Sequence, residues 1–411
     1  MKGVRWEFRS RFRSRAYGWR GSAIAIKRLK EAVQEIKRAS KAAPLPAGEG
    51  VVALVERLWP ALMDVDTSSG ALGAAVYRTL EQLIPLLVAA PADVAMRRSW
   101  LERLNVAVMD DGVDYLAPIQ DRWGEIAVYP ELMLECVEQR RPLIHDVWSG
   151  ALPPGHVIGA SSCFSCLLEL GLYGDLIELL ADDPTRSWHA RRYGAQALAR
   201  QKMWDTAIAY AEGSRHKRGY DDRSIDRFCE GVLIESGRVE DAFRRYGLRS
   251  ASGPTYLASF RDLAKRYPSL DPRRLLIELI ETRGERGKWF AAAKEAGLLD
   301  IALACAQDFG AEPATLARAV RDYSLKEPVF AFQVGLAALD HLLWGGGYDV
   351  SPVLVGQVFA DCVAAASAVG ALDLAMTEAR RLAERPCGPG LEPMRQRLAA
   401  LIVEATSSAG A

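Results

Sequence analysis

The sequence predicts an all-α protein, a right-handed α-solenoid of stacked helix–turn–helix pairs with a basic arm at the N-terminus. Two observations carry this prediction. Half of the 411 residues are hydrophobic and helix-forming types dominate, whereas alternating β-rich runs are almost absent. In addition, a short signal recurs along the chain: a turn residue, then shortly an acid, one further residue, and Ala or Ile.

The recurring signal has a period typical of helix–turn–helix repeats. Its turn residue is Lys202 in one segment and glycine in the others, at Gly171, Gly237, Gly297 and Gly370. Its acids are Asp175, Asp205, Glu240, Asp300 and Asp373. Their separations are 30, 35, 60 and 73 residues, and the last two are interpreted as doubled steps. The period is therefore roughly 30–37 residues.

The physical chemistry of the signal fits a repeated helix pair. An acid in the first turn of the second helix faces the positive end of that helix. The small residue two places later lets the partner helix approach. One pair cannot bury its apolar face alone, so pairs are expected to stack into a solenoid. The alternative is a set of unrelated helical hairpins that share a start signal.

The N-terminal segment 1–41 is a basic arm followed by an amphipathic helix. It contains 13 Lys/Arg and 3 Asp/Glu, which leaves a net charge of −10 on the other 370 residues. Residues 5–16 alternate between charged and other side chains, which favours an extended arm over a helix, although Gly18 and Gly21 allow either. A helix is expected over 22–41, with Lys27 and Arg28 on its basic face.

Segment 42–150 is predicted to form the irregular N-terminal part of the solenoid. A linker over 43–50 is expected to precede helices at Val51–Met63, Ala71–Ala89, Ala92–Met109, Val113–Val128 and Pro130–Trp148. Segment 151–411 is predicted to hold the regular helix pairs, interrupted at Trp344–Pro352 and closed by a C-terminal capping helix that starts near Leu391.

Three stretches resemble an uncharacterised bacterial family of tetratricopeptide-like helical-repeat proteins. They are FRSRAYGWRGSAIAIKRLKEAVQEI, DVDTSSGALGAAVYRTLEQLIPLL and GKWFAAAKEAGLLDIALACA. The resemblance implies a tetratricopeptide-like fold and assigns no activity and no functional residue. Compared with the tetratricopeptide consensus sequence, the segment Ser187–Glu212 has the expected small residues, Ala195 and Ala207. It lacks the aromatic residue expected early in the first helix and the terminal proline.

No catalytic or metal signature emerges from the sequence. Cys163 and Cys166 have the spacing of a redox or zinc half-site, but without a second pair they are expected to face the core. The stretch at Asp64 begins like a calcium loop, yet it has Ser69 and Ala75 where Gly and Glu are needed. The five histidines are scattered. We therefore expect no enzyme, no cofactor and no metal.

The arm is the strongest candidate binding site. Its arginines could grip phosphates and its aromatic residues could stack on unpaired bases. Alternatively, the arm docks on the acidic body of its own chain or binds an acidic protein. The candidate residues are Arg5, Arg9, Arg11, Arg13, Arg15, Arg20, Phe8, Phe12, Trp19, Lys27 and Arg28.

Five further basic groups could line a groove if they share one surface, although scattered solvated positions are the alternative. They are Arg140-Arg141, Arg191-Arg192, His216-Lys217-Arg218, Arg244-Arg245 and Arg273-Arg274.

These observations together predict a non-enzymatic scaffold or adaptor that binds a protein partner through helical-repeat surfaces. The alternative is an accessory subunit that binds RNA or DNA through the arm. Seven scattered cysteines and the lack of an apolar leader favour a reducing, cytoplasmic location. We expect no membrane association and no small-molecule substrate.

Overall fold

The structure, a computed structural model, describes residues 5–155, 157–216, 219–348 and 350–408. Every regular element within those residues is helical, which confirms the all-α class. Contacts divide the chain into two compact units, Met1–Ser236 and Gly237–Ala411. This division falls inside the predicted segment 151–411, and the boundaries expected near 41 and 150 stay predictions.

The first unit is built from α-helices of very different lengths. Their bounds are α1 Phe8–Arg11, α2 Ser22–Ser40, α3 Pro44–Leu62, α4 Ala71–Ala89, α5 Val94–Asp110, α6 Ala117–Asp121, α7 Trp123–Ala127, α8 Pro130–Trp148, α9 Ala160–Glu169, α10 Tyr173–Ala181, α11 Trp188–Arg200, α12 Trp204–Glu212 and α13 Asp222–Glu235. Helices α4 and α8 begin and end where the sequence predicts.

The second unit is also built from helices of different lengths. Its helices are α14 Val239–Ala242, α15 Leu248–Ser250, α16 Tyr256–Arg266, α17 Pro272–Arg283, α18 Phe290–Glu295, α19 Leu299–Ala306, α20 Pro313–Tyr323, α21 Pro328–Leu343, α22 Pro352–Ala368, α23 Leu372–Glu384 and α24 Glu392–Ser408. A π-helical turn at Phe243–Gly247 joins α14 to α15, and a 3₁₀ turn at Arg286–Trp289 precedes α18. Helix α24 packs against α21, α22 and α23, so the helix expected at this end is confirmed.

The N-terminal arm is folded, and its predicted extended conformation is wrong. Phe8 begins the short helix α1, because the Glu35 carboxylate of α2 accepts the N–H groups of Glu7 and Phe8 at 2.7 and 3.1 Å. A carboxylate at this place satisfies donors that the first helical turn leaves free. Trp6, Phe8 and Phe12 are buried in the core of the first unit.

Helix α3 begins at Pro44, so the linker expected over 43–50 is wrong. Proline at the first helical position lacks only an N–H that would have no partner there. The two glycines of this stretch lie inside the helix and allow aromatic rings to approach its backbone. A Cβ at Gly48 would come within 2.7 Å of Trp100, and one at Gly50 within 2.4 Å of Trp6.

The single helix expected over 113–128 is also wrong, because two short helices replace it. Pro118 lies in the first turn of α6, where a missing N–H is tolerated, and residues 111–116 before that helix are not helical. Helix α7 then runs close to α9: the Gly124 N–H donates to the Ser165 hydroxyl at 3.0 Å. A Cβ on Gly124 would come within 2.6 Å of the Ser165 carbonyl oxygen.

The recurring turn signal has one structural meaning at all five places. Gly171, Lys202, Gly237, Gly297 and Gly370 all have positive φ, between 58° and 82°. At four of them the N–H of the next residue bonds a carbonyl five residues back, as in a Schellman motif. The five acids occupy the first turn of the helices that follow, α10, α12, α14, α19 and α23. The predicted helix starts are therefore confirmed.

The doubled steps of the sequence signal contain helices without the signal. Helix α17 begins at Pro272, between the acids Glu240 and Asp300, and its N-terminus is capped by Asp271. Helix α21 begins at Pro328, between Asp300 and Asp373. Each packs against the helix before it, α16 and α20 respectively.

Helix α4 is the one helix of the described residues with the length and apolar composition to cross a membrane. It packs against α2, α3, α6 and α7 in the core of the first unit, and the core helices of soluble proteins meet the same criterion. The buried guanidinium of Arg97 caps its C-terminus by donating to the carbonyls of Leu87 and Ala90, both at 2.7 Å. Burial lowers the pKa of Arg97.

Candidate binding surfaces

Docking of the arm separates its cations from its aromatic rings. Phe8 and Phe12 are fully buried, and in this structure they are inaccessible to nucleic-acid bases. Trp19 is 69% exposed. Arg5, Arg9, Arg13, Arg15, Arg20 and Lys27 are exposed, whereas Arg11 and Arg28 are half-buried.

The two half-buried arginines are bound to acids of their own chain. Arg11 and Arg28 each donate to Glu31 at 2.7 Å, and Arg11 also reaches Glu7 at 3.0 Å. The hydrogen bond from Arg28 lowers the pKa of Glu31. Arg15 lies 3.8 Å from Asp64. These residues hold the arm on the first unit, and their charges are partly neutralised.

A basic face remains after this neutralisation. Within the described residues, no ion pair or hydrogen bond occupies the exposed side chains of Arg5, Arg9, Arg13, Arg20, Lys27, Lys30, Arg38 and Lys41. Lys27, Lys30 and Arg38 share one side of α2, because their spacing follows its period, and Lys41 lies just beyond its C-terminus. We call this set the basic face.

The arginine pairs that could have lined a basic groove bind acids instead. Arg273 donates to Asp300 at 2.8 Å and Arg274 to Glu240 at 2.6 Å. Arg141 donates to Asp175 at 2.9 Å. These acids belong to the recurring signal, so the signal also fixes one pair to the next. Arg192 binds Asp121 and Arg244 approaches Glu240, while Lys217 and Arg218 lie outside the described residues.

Hydrogen bonds to the arginines shift the pKa values of these acids. The Arg273 guanidinium lowers the pKa of Asp300, and that of Arg274 lowers the pKa of Glu240. The partners lie 27 and 34 residues apart in sequence, close to the repeat period. Similar spacing separates Arg200 from Glu169, at 31 residues, and Arg261 from Glu295, at 34. Ion pairs therefore recur across one repeat step.

A groove of about 600 Å³ crosses the first unit. Side chains of α4, α6, α7, α9, α11 and α13 line it, and none of its lining residues in the described chain comes from α10 or α12. Tyr77, Gln196, Gly231 and Glu235 contribute from three of these helices. Along the later part of this wall, within the described residues, only every second helix, α9, α11 and α13, lines the groove, which we call the helical groove.

The helical groove has mixed charge. Arg122 donates to Glu125 at 2.6 Å, and Arg200 donates to Glu169 at 2.5 Å. Deeper in the wall, Arg192 and the Tyr193 hydroxyl both bind Asp121, and burial raises the pKa of Tyr193. Side chains of both charges, held by these hydrogen bonds, therefore line the open space of the groove.

The cysteine pair and two of the histidines are buried or lie close to groups of their own chain. Cys163 and Cys166 are buried, and burial raises the pKa of Cys163 to about 12. His341 is buried with its Nε2 2.7 Å from the Ala306 carbonyl. His145 lies 3.6 Å from Asp182, and His156 lies outside the described residues. The described residues contain no group of three His, Cys, Asp or Glu that could hold a metal ion.

Comparison with protein-family models, curated proteins and solved structures found no match to this chain. The resemblance to a tetratricopeptide-like bacterial family therefore stays a prediction that rests on three stretches of sequence.

Proposed function

We propose that the protein is a non-enzymatic scaffold or adaptor that binds a protein partner in the helical groove. The observation that carries the proposal is the composition of the groove wall, in which alternate helices α9, α11 and α13 take part and α10 and α12 do not. Helical-repeat proteins bind extended partners on surfaces built in this way.

The proposal includes a right-handed, tetratricopeptide-like stacking of helix pairs. Ion pairs that recur at separations of 27 to 34 residues support stacking, because each joins groups about one repeat apart. The positive-φ turns support pairing within each repeat. The location proposed for the protein is the cytoplasm.

Co-purification from the native cell tests the proposed function. A tagged full-length chain is isolated at low and at moderate salt, with and without nuclease, and bound proteins are quantified by mass spectrometry. A scaffold is expected to carry a protein at a fixed molar ratio that nuclease does not remove. Isolation of the chain alone under all conditions would contradict the proposal.

The basic face favours a second candidate function, the binding of RNA or DNA. Its unpaired cations can contact phosphates, but burial of Phe8 and Phe12 leaves Trp19 as the exposed ring of the candidate set. Contacts with the phosphate backbone of a nucleic acid, with little stacking on its bases, predict little preference for one base sequence over another.

Salt dependence measures this second candidate. Binding of single- and double-stranded RNA and DNA is titrated over a range of salt for the wild type and for a triple variant, Arg9→Ala, Arg13→Ala and Arg20→Ala. Each lost phosphate contact should reduce the slope of log K against log salt by about 0.9 for duplex DNA. Arg318→Ala, Lys326→Ala and Arg380→Ala, which alter exposed cations of the second unit, form the control. Equal slopes for all three proteins would exclude the basic face.

A further inference from the structure

A second cavity in the first unit differs from the helical groove in shape and charge. Its volume is about 570 Å³, within the range of sites for small ligands or single side chains. It lies between the end of α8, the start of α9 and the turn that leads into α11. Nothing in the proposed function uses it.

One wall of the cavity is aromatic. The rings of Trp148 and Phe164 stack with their centroids 5.7 Å apart and an interplanar angle of 29°. Val147 and Val157 extend this apolar surface. Flat aromatic faces attract cations, because the ring quadrupole is negative above the ring.

Another part of the cavity lining is acidic. Asp114, Asp121 and Asp183 all line the cavity, and no Lys or Arg belongs to its lining in the described part of the chain. Asp121 is neutralised by Arg192, whereas Asp114 is exposed at the mouth. The cavity therefore carries uncompensated negative charge beside an aromatic wall.

Asp183 is the most informative of the three acids. It is 3% exposed, and its Oδ1 accepts the Thr185 N–H at 2.9 Å and the Thr185 hydroxyl at 2.7 Å. Its Oδ2 has no hydrogen-bond donor among the described residues. A buried carboxylate oxygen without a donor is costly and rare in folded proteins. A cation, Arg191, lies in the same region, since both Arg191 and Asp183 influence the pKa of Tyr210. The Nε of Arg191 donates to the Ser214 hydroxyl.

Further polar groups line the same cavity. The Ser161 hydroxyl and the His189 Nε2 are 3.1 Å apart and face the cavity together with Gln120. They offer hydrogen-bonding groups beside the carboxylates, which suits a ligand with several N–H donors.

We propose that this cavity binds a cationic group on an apolar stem, a guanidinium or an ammonium. Its stem would lie on Trp148 and Phe164, and its N–H donors would reach Asp183 and Asp114. The same chemistry occurs in a free alkylguanidine or alkylamine and in an arginine or lysine side chain of a polypeptide. The proposal is independent of the helical groove, whose lining does not include these four residues.

Calorimetry with paired probes tests the proposal. The probes are butylguanidinium against its neutral isostere butylurea, and N-acetyl-arginine amide against N-acetyl-citrulline amide. We expect butylguanidinium to bind with a 1:1 ratio at concentrations up to about 10 mM, and at least about tenfold more tightly than butylurea. Binding of the arginine amide as well would assign the cation to a polypeptide, and its failure would assign it to a small molecule.

Variants locate the site. Asp183→Asn keeps the acceptor for Thr185 and removes the charge, so it should weaken butylguanidinium binding at least about tenfold. Asp182→Asn is the matched control, because Asp182 lies next in sequence but outside the cavity lining. If Asp183→Asn fails to fold, Asp114→Asn takes its place, since asparagine tolerates the φ of 58° at that position.

Three results would overturn the proposal. They are equal binding of butylurea and butylguanidinium, equal affinities for the Asp183→Asn and Asp182→Asn proteins, and no binding of any guanidinium probe. None of them bears on co-purification of a protein partner, so this proposal and the proposed function fail separately.

Discussion

Gly50 marks the place where the aromatic part of the arm enters the core. Its Cα lies so close to the indole of Trp6 that a methyl group there would displace the ring. The same helix approaches Trp100 at Gly48 in the same way. Attachment of the arm thus depends on the lack of a side chain at Gly50, and the packing of α5 against α3 depends on the same feature at Gly48.

Gly50→Ala is expected to destabilise the protein by about 1–3 kcal/mol, because Trp6 must leave its buried position. The matched control is Gly231→Ala in the middle of α13, where an added Cβ has no neighbour within 4 Å. That change should stabilise the helix by roughly 0.5–1 kcal/mol. Urea unfolding of both variants measures the difference. A neutral Gly50→Ala would mean that Trp6 does not pack as described.

Single residues were the least predictable part of this protein. The alternation of residues 5–16 favours a strand, yet the same sequence spaces Phe8 and Phe12 four apart, as one helical face requires. The choice is made by Glu35, which lies 27 residues beyond Phe8 and supplies the cap. Local patterning carries no information about such a distant partner.

At the scale of elements, the turn signal was readable because its physics is local. A turn residue with positive φ and an acid in the next first turn act within a few residues of each other. Helix starts at α10, α12 and α19 follow directly from them. Helices α17 and α21 lack the signal and start with proline instead. The repeat period implied that each doubled interval contains a further helix pair, but it did not show where these helices begin.

Lys202 is the outlier among the five turn residues, because it adopts a φ of 58° where the others are glycine. Replacing it with glycine should stabilise the protein by about 0.5–1 kcal/mol, the net of relieved backbone strain and added freedom in the unfolded chain. The opposite change, Gly171→Ala, should destabilise by about 1 kcal/mol through its φ of 72° alone, since no atom lies within 4 Å of the added Cβ. Thermal unfolding compares the two. Destabilisation by Lys202→Gly would contradict the shared role of these turns.

The repeated ion pairs predict how stability depends on pH. Because Asp300 and Glu240 have pKa values in the folded protein below their ordinary 3.8 and 4.5, they favour folding above those values. This contribution is lost as the pH falls through the lowered pKa values.

Urea midpoints measured from about pH 7 down to about pH 3 test this dependence. A double variant, Arg273→Ala and Arg274→Ala, should show a shallower loss of stability on acidification than the wild type. Arg318→Ala, whose guanidinium donates to the Thr315 hydroxyl, is the control and should follow the wild type. Identical pH profiles for all three proteins would mean that the pairs are not formed in solution.

At the scale of the whole molecule, the class of fold and the bounds of some helices, such as α4 and α8, were accessible from the sequence, whereas the binding surfaces were not. The arm attracted attention through its composition, but docking buries its phenylalanines and leaves a basic face. The helical groove gives no sequence signal, because residues as far apart as Tyr77 and Glu235 line it. Such a surface exists only once the helices are stacked.

Binding of a partner in the helical groove can be tested by filling the groove with a bulky side chain. Gly231 lies in the groove wall on α13, and a side chain there meets no other part of the protein near its Cβ. Gly174 on α10 is an equally open glycine outside the groove. Gly231→Trp and Gly174→Trp therefore add the same bulk at matched positions on different surfaces.

The measurement is the amount of partner that co-purifies with each variant, compared with the wild type and with melting temperatures determined in parallel. We expect Gly231→Trp to reduce the co-purifying partner at least about tenfold, because its indole would occupy space that the partner needs. Gly174→Trp should retain the wild-type amount. Full retention by Gly231→Trp, or equal loss in both variants, would show that the partner does not bind in the helical groove.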